Sequence, residues 1–175
     1  MERLVIIEAV RTAGGKFGGS VSKLSAVDLG AAAIKGVINR SGIDSKEVDE
    51  VIFGNGWQAG VGPNPARLCT VKAGLPVSTP AYSVNIRCGS GLKAVQLGIQ
   101  AILSGDAEVV IAGGTESSSK VPYLLPDARW GHRMGDRPAI DTLHKDGFMC
   151  PLAEMLMGKT AELLVERYGI TREEQ

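Results

Sequence analysis

Apolar and polar positions in this chain switch between strand-like runs and helix-like spacing. RLVIIEAV at 3–10 is almost continuously apolar, which predicts a strand buried on both faces over Leu4–Val10. A glycine-rich loop, AGGKFGGS, follows. Ser25 and Asp28 form a Ser-x-x-Asp capping box ahead of Val27, Leu29, Ile34, Val37 and Ile38 at helical spacing, and Gly42 is placed to close that helix. Glu50–Gly54 predicts a second strand. Pro65, after Asn64, opens a short helix that Gly74 closes. Ala81–Ile86 predicts a third strand, Gly91–Ser104 a helix closed by Gly105, and Glu108–Ala112 a fourth strand running into Gly113-Gly114. Strands alternating with helices imply parallel pairing in a layered α/β fold.

Beyond about residue 116 the periodicity is lost. Residues 117–150 are short polar and aromatic pieces rich in Gly, Pro and Asp, an excursion from the sheet rather than another strand–helix unit. The expected division is therefore 1–115 and 116–175. A helix is expected from Ala153 to Tyr168, stopped by Gly169. Thr171 and Glu174 form another capping box with no helix after it, which reads as a sequence cut short.

Composition narrows the function. At 44% hydrophobic and 22% charged, the chain has the balance of a globular domain rather than a disordered one. A net charge of zero removes any composition-level case for nucleic acid. No apolar run reaches the roughly 18 residues of a membrane span. Glu8 interrupts the first apolar run and no cleavage site follows, so it does not read as a signal peptide. The cysteines, Cys69, Cys88 and Cys150, are odd in number and widely spaced, with no Cys-x-x-Cys. That argues against a disulfide framework or a zinc site and favours the reducing cytoplasm.

Cys88 lies where a strand meets a helix, in VNIRCGSGLKAV. Unpaired N–H groups and the positive dipole end gather at a helix start, and a thiolate is stabilised there. Gly89 and Gly91 leave room for an acyl group. No acid lies between Glu50 and Asp106, whereas Arg67, Lys72, Arg87 and Lys93 do. A buried structural cysteine is the competing reading. Ile86 breaks the Gly-x-Cys-x-Gly elbow; Gly91 and Leu92 break a papain-like Cys-Gly-Ser-Cys-Trp; and Ala94 stands where a phosphatase-type arginine belongs. GNGWQA at 54–59 matches G-x-G-x-x-A after a strand. Gly60, Gly62 and Pro63 then replace the helix that a nucleotide site needs.

VNIRCGSGLKAV resembles the active-site segment of the thiolase family, Asn-x-x-Cys-x-Ser-Gly. AVRTAGGKFGGS, GPNPAR, IAGGTES and MGKTAE agree in order, so the resemblance covers nearly the whole chain. GSGLKAV is similar to the biosynthetic acetoacetyl-CoA branch. The resemblance implies the first half of a two-half fold with its sheet incomplete at 1–115, and the start of a coenzyme A-binding loop domain at 116–175. It implies an acetyl-CoA C-acetyltransferase activity, condensation of two acetyl-CoA or thiolysis in reverse, through an acyl-cysteine on Cys88. Met157 matches a position near the acyl pocket and pantetheine, and Phe148 and Leu156 match neighbouring coenzyme A contacts. Leu156 departs from a frequent His, and Cys150 from the usual Asp of the run. The 130–141 segment matches a region of tetramer contacts, so a homo-oligomer, tetramer or dimer, is expected.

The family's catalytic His and second Cys belong to the other half. His132 and His144 match neither role and read as ordinary surface or hydrogen-bonding histidines; Cys69 and Cys150 read as structural. No metal or prosthetic group is implied, only acyl-CoA and CoA as partners. Two alternatives remain: a degradative 3-ketoacyl-CoA thiolase, and a non-enzymatic split subunit or truncated acyl-CoA-binding module.

Overall fold

A computed structural model describes residues 4–175. The chain forms two compact units, Met1–Lys120 and Val121–Gln175.

The first unit is a parallel sheet between helices. Helix α1 (Ala26–Ser41) begins at the anticipated box: Asp28 N donates to Ser25 Oγ (3.1 Å) and Ser25 N to Asp28 Oδ2 (2.8 Å). It ends at Gly42, whose φ of 72° is the left-handed closure a glycine supplies most cheaply. Strand β1 (Glu50–Gly54) follows, then α2 (Pro65–Ala73) with Asn64 as its cap, then β2 (Ala81–Val84). Helix α3 (Ser90–Ser104) and strand β3 (Val110–Gly114) complete the unit. The sheet order is β2-β1-β3, with Val51 facing Ala81 on one side and Ile111 on the other.

Strand alternation assigns the faces. Val51 and Phe53 point into a cluster with Ile34 of α1 and Ala66 and Cys69 of α2. On the other face, the side-chain space of Gly98 in α3 abuts Val110 and Ala112 of β3. β1 is covered on both faces, and Val51 and Ile52 are fully buried, which explains its unbroken apolar run.

The leading apolar run behaves differently from expectation. Leu4–Val10 forms no strand, and Val5, Ile6 and Ile7 are 61–75% exposed. Arg3, at its start, lies outside the described residues. The physical reason is the lack of a ladder partner. Residues 4–10 are separated from β3 by an apolar groove of about 360 Å³, lined also by α1 and α3, and among the described residues β3 pairs only with β1. An apolar run has β character, but a strand also needs hydrogen bonds from a neighbour.

Two strand ends shift as well. β2 stops at Val84 because Ile86 N is taken by Ser90 Oγ (3.0 Å) as the chain turns into α3. β3 starts at Val110 rather than Glu108, because Asp49 Oδ2 accepts from the N–H groups of Glu108 (2.7 Å) and Val109 (2.9 Å).

The second unit is made of short pieces. β4 (Tyr123–Leu124) pairs antiparallel with β5 (Ile140–Asp141). A π-helical turn spans His144–Phe148, and β6 (Met149–Cys150) forms a hairpin with β7 (Met155–Leu156). Helix α4 (Met157–Tyr168) starts four residues later than the apolar spacing predicts, because Met155 and Leu156 pair back onto β6 and Glu154 turns the hairpin at φ 52°. Gly169 stops the helix as expected, with φ 64°. Thr171 and Glu174 form their reciprocal box, N–H to carboxylate at 2.7 Å and N–H to hydroxyl at 3.3 Å.

Candidate active site

Cys88 sits between the end of β2 and the start of α3, and it is exposed. The turn that delivers it is built from short-range bonds. Asn85 Oδ1 accepts from Arg87 N (3.0 Å), and Arg87 O accepts from Ser90 N (3.0 Å) and Ser90 Oγ (2.6 Å). Arg87 has φ 58°, a left-handed conformation that costs a residue with a Cβ about 1–2 kcal/mol. Only a well-braced turn holds it there. Gly89, the N-cap of α3, brings no side-chain bond to the helix start. Asn85 thus serves local backbone groups, as its type and position suggest.

Around the thiol, the close backbone approach falls at Gly54 rather than at Gly89 or Gly91. The Cβ that Gly91 lacks would point toward Gly113 O at 4.0 Å, and that of Gly89 toward Ile86. A Cβ on Gly54 would meet Ser90 C at 2.5 Å and Gly91 N at 2.6 Å. The start of α3 therefore lies directly on the end of β1, and this contact places Cys88. Gly114 also packs closely on β1, where a Cβ would stand 2.9 Å from Gly54 O. The Gly113-Gly114 pair thus packs against the end of β1 and faces the start of α3.

The four cations of the acid-free stretch do not converge. Lys72 pairs with Asp28. Arg67 donates to Thr79 O and Val77 O, both at 2.6 Å, and Lys93 to Gln96 Oε1 at 3.1 Å. Only Arg87 adjoins Cys88 in the chain, and its guanidinium is directed at Gly56 O (2.7 Å) and lies 5.6 Å from the centroid of the Trp57 ring. Nor is the region free of acids. Glu116, just past β3, reaches the end of β1, where its Oε2 accepts from Gly56 N at 2.7 Å. Trp57 N donates to both carboxylate oxygens at 3.3–3.4 Å, and Asn55 Nδ2 to Oε1 at 2.9 Å. The N–H groups of the G-x-G-x-x-A loop thus hold a carboxylate of their own chain, which removes the nucleotide reading.

Burial raises Glu116 above the ordinary carboxylate value, opposed by the N–H groups of Gly56 and Trp57, by Asn55 and by Arg87. Glu116 escaped sequence reasoning. The available signal was an acid directly after the carboxyl end of a sheet strand, where α/β proteins assemble their sites.

The remaining cysteines differ sharply from Cys88. Cys69 is fully buried, and desolvation pushes its thiol up to about 11. Cys150 is half-buried in β6. His132 and His144 are both exposed in the second unit.

Met157, Phe148 and Leu156 all belong to the second unit. Leu156 pairs with Met149, so Phe148 and Met157 flank that pair at the open end of the hairpin. Phe148 is 48% and Leu156 39% exposed, whereas Met157 is half-buried. Among the described residues no group of His, Cys, Asp and Glu could hold a metal ion, and no helix is long and apolar enough to cross a membrane.

The chain is 51% identical over 175 residues to an acetyl-CoA acetyltransferase of Pseudomonas aeruginosa, covering all of this chain and 44% of that protein. It is 50% identical to one of Cupriavidus necator with the same coverage, and 51% identical over 176 residues to one of Escherichia coli, of which it covers 45%. It thus spans less than half the length of these relatives. Residues 4–175 match the family model described as thiolase, N-terminal domain. With an exposed cysteine at the strand–helix junction and this match along nearly its whole length, the chain belongs to the thiolase family.

Proposed function

We propose that this chain is the nucleophile-bearing part of an acetyl-CoA C-acetyltransferase, which condenses two acetyl-CoA to acetoacetyl-CoA and CoA or runs thiolysis in reverse. The observation that carries the reading is Cys88: an exposed thiol at the N-terminal end of α3, on a turn braced by Asn85, Arg87 and Ser90. As a thiolate it attacks the thioester carbonyl of acetyl-CoA. The Cys88 Sγ–carbon bond forms, the carbon–sulfur bond to CoA breaks, and CoA leaves as a thiol after taking a proton. The N–H of Cys88 contributes to the oxyanion site. The chemistry needs no metal or prosthetic group.

Met157, Phe148 and Leu156 form the coenzyme A-binding patch of the second unit, the start of a loop domain. Their position at one end of the β6–β7 hairpin supports this, as does the exposure of Phe148 and Leu156. The carbon–carbon step requires a base for the α-proton of the second acetyl-CoA. We assign that step to a Cys and a His outside these 175 residues, consistent with relatives more than twice as long. The complete protein is a homo-oligomer, a tetramer or dimer; Trp130 and Met134, 85% and 90% exposed in the segment assigned to tetramer contacts, support this. Three free cysteines suit the cytoplasm.

The test is reconstitution. Residues 1–175 alone should show no condensation or thiolysis. Adding a C-terminal half, in cis or as a separate polypeptide, should restore activity, and Cys88→Ala should abolish it. General acid/base groups each contribute about 10²–10⁴-fold, so their absence is decisive. Robust acetoacetyl-CoA thiolysis by the purified 175-residue chain would overturn the assignment. Faster thiolysis of long 3-ketoacyl-CoA by the reconstituted protein would make it a degradative thiolase. Acyl-CoA binding with no turnover in any combination would make it a binding module.

A further inference from the structure

The Glu116 carboxylate and the Arg87 guanidinium come from segments 29 residues apart, and among the described residues no direct ion pair joins them. They meet on opposite sides of one peptide group. The Gly56–Trp57 peptide is planar, so its N–H and its C=O point in opposite directions. Glu116 accepts from the Trp57 N–H on one side, with the Gly56 N–H beside it at 2.7 Å. On the other side Gly56 O accepts from Arg87 Nη1 at 2.7 Å and Asn85 Nδ2 at 3.2 Å.

The two residues receiving that carbonyl's support are those that shape the turn into Cys88. Asn85 holds Arg87 N, and Arg87 carries the left-handed backbone next to the thiol. Charges of opposite sign at the two ends of a hydrogen-bonded chain also polarise the bonds between them in the same sense. Glu116 is itself held from behind: Asn55, 1% exposed, donates to it and to Thr115 O at 2.8 Å. A Cβ on Gly56 would stand 3.1 Å from Glu116 Oε2, so a side chain there would push the carboxylate back by a few tenths of an ångström.

We propose that Glu116 is a positioning residue for Cys88: it fixes the Gly56–Trp57 peptide so that Gly56 O locks Asn85 and Arg87, and through them the aim of the thiol at the start of α3. The proposal deepens the reading of Cys88 as nucleophile and rests on it. It also accounts for a carboxylate standing close to a site that benefits from positive potential, since its charge is spent on three donors and balanced by Arg87.

The experiment is residue-resolved alkylation of the 175-residue chain with iodoacetamide, followed by peptide mapping, with buried Cys69 as the internal report on folding. Glu116→Gln replaces one accepting oxygen with a donor that faces Asn55, Gly56 and Trp57. The expected result is a Cys88 rate lower by about tenfold, as a thiol leaves the helix start that favours its thiolate, with Cys69 still protected. Arg87→Met should slow Cys88 similarly, and the double variant should be little slower than either single one, because both act on one peptide. Unchanged Cys88 rates in Glu116→Gln with Cys69 protected would overturn the positioning role and leave the nucleophile standing, as would effects that multiply in the double variant. If Glu116→Gln exposes Cys69, Arg87→Met decides: slower Cys88 with protected Cys69 supports the relay, and an unchanged rate refutes it. A parent chain whose Cys88 reacts no faster than Cys150 would overturn the nucleophile reading and the proposal with it.

Discussion

Gly54→Ala tests the contact that places the thiol. The added Cβ would stand 2.5 Å from Ser90 C, 2.6 Å from Gly91 N and 2.7 Å from Ser90 Cβ. Carbon atoms rest at about 3.5–4.0 Å, so the start of α3 must retreat by about 1 Å or more. Two of the three obstructing atoms are backbone, and no rotamer change relieves them. Overpacking of this kind costs about 1–3 kcal/mol. Gly54 also carries ladder bonds, with Thr115 N donating to Gly54 O at 3.0 Å, so β1 is poorly free to yield instead. The retreat moves Cys88 relative to Asn85 and Arg87, and a misplacement of about 1 Å can cost a catalytic site about 10²-fold. Urea denaturation measures the first effect, and Cys88 acylation in the reconstituted enzyme measures the second. Gly158→Ala is the control: a Cβ there meets nothing within 4 Å, and α4 should gain up to about 1 kcal/mol of helix propensity. A Gly54→Ala chain as stable as its parent, with undiminished acylation, would refute the claim that this approach aims the thiol.

Iodoacetamide at neutral pH should label Cys88 first and Cys69 last, because Cys69 is fully buried with its thiol pushed up to about 11; peptide mapping that finds Cys69 labelled first contradicts the site. The 175-residue chain should self-associate through the edge of β3 that is unpaired among the described residues and through exposed Val5, Ile6, Leu92 and Leu103, so a monodisperse monomer in light scattering would count against that surface. Asp28 is held well below the usual carboxylate range, first by the Lys72 ammonium and then by Ser25, so Asp28→Asn should cost about 1 kcal/mol at pH 7. Because the folded-state value is depressed, that contribution is complete above the unfolded value of about 3.9 and fades as pH falls below it toward the folded value. The gap between variant and parent should therefore narrow from pH 7 to pH 3, and urea titrations showing a constant gap would exclude the linkage.

What the sequence by itself determined was the chemistry of short range. The Ser25–Asp28 box, Asn64 with Pro65, and the closures at Gly42, Gly74, Gly105 and Gly169 each act within a few residues, and each stands where the residue type indicates. The strand–turn–helix around Cys88 was legible for the same reason. Its bracing bonds, Asn85 to Arg87 and Ser90 to Arg87, span two and three residues. Tertiary structure decided whatever needed a partner from elsewhere in the chain. Leu4–Val10 has strand composition and no strand, because a ladder partner is not a property of the segment. Met155 and Leu156 have helical spacing, yet they pair into a hairpin because β6 offers unpaired backbone groups opposite them. The acid-free stretch around Cys88 acquires its acid from Glu116, 28 residues further on, and gives up three of its four cations to other contacts. Charge counted along a chain predicts the field at a thiol only when neighbours in sequence are neighbours in space. A parallel sheet breaks that condition, since each strand returns beside another only after a helical crossover.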